Sequence, residues 1–294
     1  MSEFTQIVVY GANGWLGRST VEAILKTTPK IPVEKILLIG SKNGRIQIEG
    51  KYLEILDPIL GEACINKRAI FINCAFLRRE FIKKLGEQDF IEQNLNIMAL
   101  PTRAIRNEGL FSFVNLSSGA AASVEMNSQD SLIDAYSVLK RRSEIEFEQE
   151  SRKTGSHFIN CRVYSISGYY LNEFENLALS DFISHAKEGK EIHVNSPLSK
   201  RTYIDGVNLM AVVIRLAIRG ESLKFDSGGI LVSMLDLAQI VSKVVGHGEE
   251  VSAGVDSESS YFGDYKSFNL LASRLDQRIL GVEEQIANTI KAFN

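Results

Sequence analysis

The chain has 294 residues, a length that suits one large α/β domain or a large domain with a small one attached. Its 33 basic and 36 acidic residues give a formal net charge of −3, which excludes the strongly basic surface typical of nucleic-acid-binding proteins. The cysteines and histidines are scattered without metal-ligand spacing, so we expect no disulfide framework and no bound metal. A small-molecule partner is therefore favoured over a nucleic acid.

The N-terminal segment lacks the basic start, apolar core and cleavage site of a secretory signal. The strongest apolar candidate for a membrane span, residues 209–218, is too short and carries Arg215. These features predict a cytoplasmic protein with no membrane partner.

Strand-like and helix-like patterns alternate along the first half of the chain. Short apolar, β-branched runs predict strands at 6–10, 35–40, 52–56, 69–76, 111–118 and 157–166. Helical spacing predicts helices at 16–25, at 81–107 with an interruption at Pro101, and at 134–153. Such alternation predicts βαβ units and a Rossmann-type, doubly wound parallel sheet with helices on both faces.

The second half alternates less regularly. Residues 199–218 predict a short strand, a turn and a helix, residues 234–245 and 282–293 predict helices, and residues 246–260 predict an exposed loop. We expect a Rossmann domain over 1–164, with a returning segment near 198–221. A smaller α/β domain is expected over 165–197 and 222–294.

Three glycines lie between the first strand and the first helix, in the segment YGANGWLG. Glycine adopts positive φ and lets the backbone approach a ligand closely, and a helix N-terminus attracts a pyrophosphate. A tight turn without a ligand is the alternative, but it leaves the regular spacing unexplained. We therefore predict that a dinucleotide contacts the loop, at Gly11, Asn13, Gly14, Trp15, Leu16 and Gly17.

A second pattern combines serines with a tyrosine and a lysine. Ser117 and Ser118 end a strand whose last residues belong at the carboxyl edge of the sheet, where open α/β folds bind ligands. Tyr136 and Lys140 are four residues apart and share one face of a helix. The alternative is a packed tyrosine and a solvated lysine, and this spacing alone would not exclude it.

Together, the G-x-x-G-x-x-G loop and the Ser–Tyr-x-x-x-Lys order resemble the extended short-chain dehydrogenase/reductase family, also called NAD-dependent epimerase/dehydratases. The resemblance implies that Tyr136 is the catalytic acid/base and Ser118 the catalytic serine, with Ser117 as the substitute. Lys140 would hold the nicotinamide ribose and favour the tyrosinate, since a free tyrosine, with a pKa of about 10, is a poor base at neutral pH.

The resemblance also assigns roles to other positions. It places Asp57 beside the adenine, Asn73, Cys74 and Ala75 under the nicotinamide ribose, and Asn94 in a supporting cofactor role. On the substrate side it implies contacts from Ser117, Ser118 and Ser165, and a pyrophosphate contact from Arg201. The sequence departs from the family where a Tyr-Gly pair is missing after the serines, and where Val207 and Asn208 replace paired aspartates.

The end of the second predicted strand bears on the choice of dinucleotide. NAD sites usually have an acidic residue there, but this chain has Ser41, Lys42 and Arg45. Basic side chains can neutralise a 2′-phosphate, so we expect NADP(H) to be favoured, with NAD(H) and a merely solvated loop as alternatives.

The implied activity is hydride transfer at a ring carbon, commonly C4, of a nucleotide-activated sugar. A 4-keto reductase using NADPH and a 4-epimerase retaining NAD both stay open. A 4,6-dehydratase is disfavoured because Gly119 and Ala120 follow Ser118 where acidic residues are expected.

Two other classes of function also remain. A non-catalytic NADP sensor would not need Tyr136 and Lys140, and a reductase of non-sugar ketones would not need Arg201. The family resemblance further implies a homodimer formed by the helices before and after the fifth strand.

Overall fold

The computed structural model describes residues 4–28, 31–125, 134–171, 177–246, 250–255 and 259–293. The chain divides into two compact units, Met1–Val163 with Met210–Phe225, and Tyr164–Leu209 with Asp226–Asn294. Among the described residues, no helix is both long and apolar enough to cross a membrane.

The secondary structure has the following bounds. The strands are β1 (Ile7–Tyr10), β2 (Ile36–Ile39), β3 (Gly44–Ile48), β4 (Lys51–Leu56), β5 (Ile70–Asn73), β6 (Ser112–Ser118), β7 (His157–Val163), β8 (Ser165–Ser167), β9 (Ile192–Val194), β10 (Lys200–Asp205), β11 (Leu223–Asp226), β12 (Ile230–Ser233) and β13 (Val251–Ala253). The α-helices are α1 (Trp15–Thr27), α2 (Pro58–Ala63), α3 (Phe81–Leu85), α4 (Glu87–Glu108), α5 (Ala120–Glu125), α6 (Ala135–Thr154), α7 (Ala178–Lys187), α8 (Gly206–Ile218), α9 (Met234–Val245), α10 (Tyr265–Arg274) and α11 (Val282–Ile290).

The large sheet of the first unit has the strand order β11-β7-β6-β5-β1-β2-β4-β3. The pairs β4–β2, β2–β1, β1–β5, β5–β6 and β6–β7 are parallel, and β3 is an antiparallel edge strand. Every residue of β1, β5 and β6 is buried, so both faces of the sheet are covered. The predicted α/β, Rossmann-type fold with a mostly parallel sheet is confirmed.

The chain order reverses at the centre of this sheet. From β1 the chain continues to β2 on one side, and the later strand β5 pairs with the other side of β1. Open α/β sheets bind ligands outside the carboxyl ends of strands at such a reversal. The glycine loop follows β1 and the segment from Cys74 follows β5, so both reach this point.

A row of phenylalanine rings fixes α6 against the sheet. Phe113 of β6 stacks on Phe71 of β5 with 5.5 Å between ring centroids, and on its other side contacts Phe147 of α6 at 5.0 Å. All three side chains are fully buried. Because aromatic rings contribute large buried areas with defined geometry, this contact constrains where α6 lies on β6.

The predicted helix at 81–107 differs from the structure in two ways. The chain forms two helices, α3 and α4, because Gly86 has φ of +82° and ends the first of them. Pro101 does not interrupt α4, although it removes the hydrogen bond to the carbonyl of Ile97. The hydroxyl of Tyr10 donates to that carbonyl at 3.3 Å and so replaces the missing donor.

Other boundaries also needed correction. The strand predicted at 157–166 ends at Val163, and Ser165 begins β8 in another sheet. The strand predicted at 69–76 is shorter, ending at Asn73. The predicted loop at 246–260 contains the strand β13, while residues 247–249 and 256–258 of that loop lie outside the described part of the chain.

The second unit is built around two small sheets, β12-β10-β8 and β13-β9. Its core joins side chains of α7, α9 and α11 to β10, with Ile183, Tyr203, Leu237 and Ile286 among the buried residues. Helix α9 begins at Ser233, whose hydroxyl accepts a hydrogen bond from the backbone N–H of Asp236 at 3.0 Å.

Candidate active site

Two of the three loop glycines are required by packing. Gly11 has φ of +87°, and a Cβ atom there would be 2.7 Å from the backbone nitrogen of Ala75. A Cβ on Gly17 would overlap the carbonyl oxygen of Gly11. A side chain at Gly11 would push the turn away from Ala75 after β5, and one at Gly17 would clash with the turn itself, so the loop needs both glycines.

Gly14 is different, because packing does not require a glycine there. Its φ of −75° suits any residue, and the nearest neighbour of an added Cβ is the carbonyl oxygen of Gly11 at 3.4 Å. Gly14 is the N-cap of α1 and has no side chain that could cap this helix. Trp15 and Leu16 form its first turn and are half-buried. The helix N-terminus is therefore open, as phosphate binding requires.

Two polar atoms beside this loop are buried without a hydrogen-bond partner among the described residues. They are Oδ1 of Asn13 and Nε of Arg18. Asn13 lies so close to the end of β2 that a Cβ on Gly40 would overlap its amide. Because buried polar atoms are normally paired, these two atoms indicate that a polar ligand or water completes the site.

The segment predicted to recognise a 2′-phosphate forms a different structure from the expected loop. Arg45 lies in β3, directly opposite Glu54 of β4, and its guanidinium is 3.4 Å from that carboxylate. Its charge is therefore already paired, although both side chains are largely exposed. Ser41 and Lys42, which follow β2, are exposed.

Asp57 caps a helix. One carboxylate oxygen accepts hydrogen bonds from the backbone N–H groups of Ile59 and Leu60, at 2.9 and 3.1 Å. The other accepts from the side-chain amide of Asn43 at 2.8 Å. These bonds hold the β2–β3 connection against the start of α2, so the predicted adenine contact would have to share this carboxylate.

The residues after β5 face the glycine loop. Asn73 is buried, and its Oδ1 accepts a hydrogen bond from the N–H of Ala75 at 3.2 Å. Sγ of Cys74 is 3.4 Å from the Thr20 hydroxyl of α1, and burial raises the thiol pKa to about 12. Cys74 is therefore a neutral packing residue at neutral pH.

Asn94 fixes the backbone of the segment that follows. Its side chain accepts from the N–H of Leu77 at 2.9 Å and donates to the carbonyl of Phe90 at 3.0 Å. Since Asn94 is fully buried with both amide atoms paired, it supports the site by holding the backbone at Leu77, next to Phe76.

Lys140 is the most unusual charged residue of the first unit. It is only 7% exposed, and its ammonium donates to the carbonyl of Leu116 at 2.9 Å. Burial lowers the pKa of Lys140 to about 7, although the negative charge of Glu144 opposes the shift. A buried lysine whose ionisation is shifted in this way is typical of functional sites and rare among surface lysines.

Tyr136 lies one helical turn before Lys140, and the ammonium is 5.9 Å from the centroid of its ring. The ring of Phe76 packs edge-on against Tyr136, with 5.7 Å between centroids and an interplanar angle of 85°. The guanidinium of Arg79 is 5.4 Å from the centre of the same ring. Tyr136 is thus held by an aromatic ring and a cation from the segment after β5.

The first turn of α6 is anchored from both sides. Asp134 caps the helix, accepting from the N–H and hydroxyl of Ser137 at 2.9 Å each. Arg79 forms an ion pair with Asp134 at 2.8 Å and donates to the Ser137 hydroxyl at 3.1 Å. Because Tyr136 lies between these two residues, the arrangement fixes its backbone.

Both candidate serines lie at the end of β6. Ser118 is buried, and its hydroxyl accepts from the N–H of Ala120 at 3.3 Å. The Ser117 hydroxyl helps to lower the pKa of Glu144 but makes no hydrogen bond of good geometry within the described residues.

Behind the serines, asparagines form a buried polar row across three strands. Asn73, Asn115 and Asn160 occupy paired positions on β5, β6 and β7. The amide of Asn115 donates to Asn160 at 2.9 Å, and Asn160 donates to Glu144 of α6 at 3.2 Å. Arg162 completes the row with two hydrogen bonds of 2.8 Å to the same carboxylate.

Glu144 stays ionised in this row. Burial opposes its ionisation, but hydrogen bonds from Arg162 and Arg141 lower its pKa to about 2. The carboxylate therefore remains negative one helical turn from Lys140, and it ties α6 to β7.

The predicted substrate residues Ser165 and Arg201 belong to the second unit. Arg201 lies in β10, and its Nε is buried without a hydrogen-bond partner among the described residues. The backbone of Arg201 forms an isolated parallel β-bridge with that of Tyr261. The ring centroids of Tyr261 and Tyr164 are 4.8 Å apart. Asn208 clamps the backbone at Arg278 and Leu280 through its amide, with two bonds of 2.9 Å.

Comparison with known proteins decides the family. The family model described as "NAD dependent epimerase/dehydratase family" matches residues 7–224, most of the chain. The chain belongs to the NAD-dependent epimerase/dehydratase family. No curated protein matches its sequence significantly.

Solved structures share the fold at low sequence identity. The UDP-N-acetylglucosamine 4-epimerase of Bacillus cereus is 19% identical with a TM-score of 0.71, covering 98% of this chain and 95% of that one. The UDP-glucose 4-epimerase of Thermotoga maritima, solved with UDP-glucose, is 16% identical with a TM-score of 0.75 and 98% coverage of both chains. The dTDP-glucose 4,6-dehydratase DesIV of Streptomyces venezuelae, solved with NAD, is 15% identical with a TM-score of 0.71, covering 98% of this chain and 96% of that one.

The residues of this epimerase/dehydratase family member fit a dinucleotide at the glycine loop. The open N-terminus of α1, the space beside Gly14 and the unpaired Oδ1 of Asn13 are what a pyrophosphate and its ribose require. The fit is electrostatic as well as steric, since the helix dipole favours an anion there.

Several residues of the site had no distinctive signal in the sequence. Phe76 and Arg79 belong to an ordinary mixed segment, and Glu144 is one of several alternating glutamates on α6. Only its spacing of four residues from Lys140 set Glu144 apart. Their roles depend on neighbours distant in sequence, which spacing within one helix or strand cannot reveal.

Proposed function

We propose that this protein is a nicotinamide-dinucleotide-dependent oxidoreductase or epimerase acting on a nucleotide-activated sugar, with hydride transfer at a ring carbon, C4 being favoured. The observation that carries the proposal is the Tyr136–Lys140 pair. A buried lysine with a pKa of about 7 lies one turn from a half-buried tyrosine on α6, and both contact Phe76, which follows the strand β5 beside the chain reversal. Such a pair has no evident structural purpose, since burying an ammonium destabilises the fold.

Each residue has a distinct task in this proposal. Tyr136 takes or returns the proton of the substrate hydroxyl, and the Lys140 cation favours its phenolate form. The Ser118 hydroxyl hydrogen-bonds the same substrate oxygen as its charge changes. A bound nicotinamide would accept or return the hydride.

Binding of the two ligands would use separate groups. The N-terminus of α1 and Asn13 would hold the dinucleotide pyrophosphate and ribose, with Asp57 near the adenine. Arg201 would contact the diphosphate of the sugar nucleotide, because its Nε is buried and unpaired among the described residues. Ser165 and Ser117 would add polar contacts to the substrate.

Similar proteins support the substrate class. The structures with this fold include 4-epimerases solved with UDP-glucose and with UDP-N-acetylmuramic acid, the latter from Methanobrevibacter ruminantium. Others were solved with NAD, including the UDP-glucose 4-epimerase of Thermus thermophilus. We extend these ligand classes to this chain as part of the proposal.

The choice between NADP(H) and NAD(H) depends on few residues. Arg45 no longer supports NADP(H), since Glu54 pairs with it across β3 and β4. Lys42 and Ser41 still do, and neither position supplies the acidic side chain that usually binds the ribose of NAD. We therefore keep NADP(H) as the proposed preference and assign it to Lys42.

The first experiment separates epimerase from reductase. Purified protein is denatured, released dinucleotide is assayed, and fresh protein is titrated with NADPH and NADH by fluorescence. Stoichiometric released NAD supports an epimerase, and interconversion of UDP-sugars is then followed by NMR. Empty protein that binds NADPH more tightly supports a reductase of 4-keto sugars.

Two results would contradict the proposal. Binding of neither dinucleotide would remove the cofactor and with it the assigned chemistry. Tight dinucleotide binding without turnover of any sugar nucleotide or ketone would indicate a sensor.

A further inference from the structure

Phe76 contacts both members of the proposed catalytic pair. Its ring centroid is 4.0 Å from Nζ of Lys140 and 5.7 Å from the ring centroid of Tyr136. Phe76 is three residues beyond the end of β5 and is partly buried, packing against the core of the sheet on one side and against Phe90 and Leu139 on the other.

The ammonium of Lys140 has few other partners. It donates to the carbonyl of Leu116, which uses one of its three N–H groups. Burial makes an unpaired cation costly, and the electron-rich face of an aromatic ring within about 6 Å compensates for part of that cost. At 4.0 Å the Phe76 ring lies well within that limit.

The contact with Tyr136 has a second consequence. An edge-to-face pair restricts the rotation of both rings, and the interplanar angle here is 85°. Asn94 holds the adjacent residue Leu77 through its buried amide, so the backbone that carries Phe76 is itself fixed.

We propose that Phe76 is a positioning residue of the site: the face of its ring holds the Lys140 ammonium against Leu116, and its contact with Tyr136 orients the phenol. The catalytic meaning of this role rests on the proposed function. The contact between the Phe76 ring and the Lys140 ammonium is independent of the proposed function, and it can be tested in a protein without any activity.

Other groups also act on the charge of Lys140, and the test must separate them from Phe76. Glu144, one turn along α6, favours the charged lysine, whereas Cys74, after β5, would do so only once its thiol ionises far above neutral pH. Tyr136 is a further titratable group beside the ammonium. All three are unchanged in the variants below.

The test replaces Phe76 with leucine, which keeps much of the volume and removes the π face. Lysine labelled with ¹³C at Cε is titrated by NMR, and Lys140→Met identifies its resonance. Since the ring stabilises the charged form, Phe76→Leu lowers the pKa of Lys140 by about half a unit or more, and Phe76→Tyr restores it. If Phe76→Leu does not fold, Phe76→Met serves the same purpose.

Phe81→Leu is the matched control. Phe81 lies 5.3 Å from the ammonium of Lys84 on α3 and packs against the same cluster as Phe76, so its substitution disturbs that cluster without removing the ring that faces Lys140. Its substitution leaves the Lys140 titration unchanged. An unaltered Lys140 titration in folded Phe76→Leu overturns the proposal.

Activity measurements then separate this proposal from the proposed function. In an active enzyme, Phe76→Leu lowers kcat about tenfold or more with little change in KM, and it moves the alkaline limb of the pH profile to lower pH. A tenfold loss of kcat with an unchanged alkaline limb of the pH profile would contradict the positioning role of Phe76. A shifted Lys140 titration in a protein without any activity supports the role of Phe76 and rejects the enzymatic function.

Discussion

The glycine loop and the Tyr136–Lys140 site lie in the same unit, but different parts of the chain build them. The loop is made of backbone, and its shape follows from clashes that any side chain at Gly11 or Gly17 would cause. The Tyr136–Lys140 site is made of side chains, and its partners Phe76 and Leu116 come from distant segments.

This difference explains why the structure of the loop can be predicted from the sequence, whereas the environment of Lys140 cannot. A turn that needs glycine has a local cause, so its signature is contiguous in the sequence. The low pKa of Lys140 has a tertiary cause, since burial under residues from β5 and β6 produces it. Substitutions in the two regions should therefore have different effects.

The largest expected effect is on catalysis by the side-chain site. Tyr136→Phe lowers kcat by about 10²- to 10⁴-fold, because the general acid/base is removed while the ring packing remains. Steady-state kinetics with the identified sugar nucleotide measure it. Tyr52→Phe, at an exposed tyrosine of β4, is the control and leaves kcat unchanged. Equal rates for the wild type and Tyr136→Phe would exclude Tyr136 as the proton carrier.

A large effect on stability is expected at the buried row behind the serines. Glu144→Gln destabilises the protein by about 3 kcal/mol, because Arg141 and Arg162 lose their shared buried counter-ion. Among the described residues, these arginines keep only the exposed Glu125. Urea unfolding measures the change. The control Glu54→Gln, in the exposed pair with Arg45, has almost no effect.

The ion pair of Glu144 with Arg162 also predicts a pH dependence of the stability. Hydrogen bonds hold the folded-state pKa of Glu144 at about 2, below the ordinary value of 4.5. Its contribution to stability is therefore complete above pH 4.5 and is lost as the pH falls towards 2. The stability difference between wild type and Glu144→Gln should shrink over that range, and a constant difference would contradict the assignment.

A selective effect on binding is expected at the loop. Gly14→Ala should fold normally, with a loss of less than about 1 kcal/mol, because its Cβ meets nothing closer than 3.4 Å. It should weaken dinucleotide binding about tenfold, since the methyl group enters the space beside the α1 N-terminus. Fluorescence titration tests this, with Gly281→Ala as the control at the N-cap of α11, where the nearest atom to an added Cβ is 3.6 Å away. Unchanged affinity would mean that the loop is only a turn.

The smallest effect is expected at Arg45. Because Glu54 already pairs with it, Arg45→Ala should change the ratio of NADPH to NADH affinity by less than about twofold. Lys42→Ala should reduce that ratio clearly, since Lys42 is exposed at the end of β2. A large effect of Arg45→Ala together with none of Lys42→Ala would reverse the assignment.

Some features were predictable because their causes are local. The alternation of apolar strands with helices gave the mostly parallel sheet, and the fully buried β1, β5 and β6 are the runs that looked continuously apolar. The helix spacing of Tyr136 and Lys140 likewise predicted their shared face.

Features that depend on pairing between distant segments were missed. The strand β3 is short and mostly exposed, so only its pairing with β4 makes it a strand. Helix α4 passes through Pro101 because the Tyr10 hydroxyl, from β1, supplies the missing hydrogen bond. Neither partner could be identified from the residues nearby in sequence.

We could derive the Rossmann-type sheet, the glycine turn and the shared face of Tyr136 and Lys140 from residues close in the sequence, because steric limits and side-chain periodicity act over a few neighbouring residues. The folded protein was needed to show that Arg45 is paired, that Asp57 caps α2 and that Lys140 is buried against Phe76. Burial and electrostatic partners are properties of the folded neighbourhood, and residues far apart in the chain create that neighbourhood.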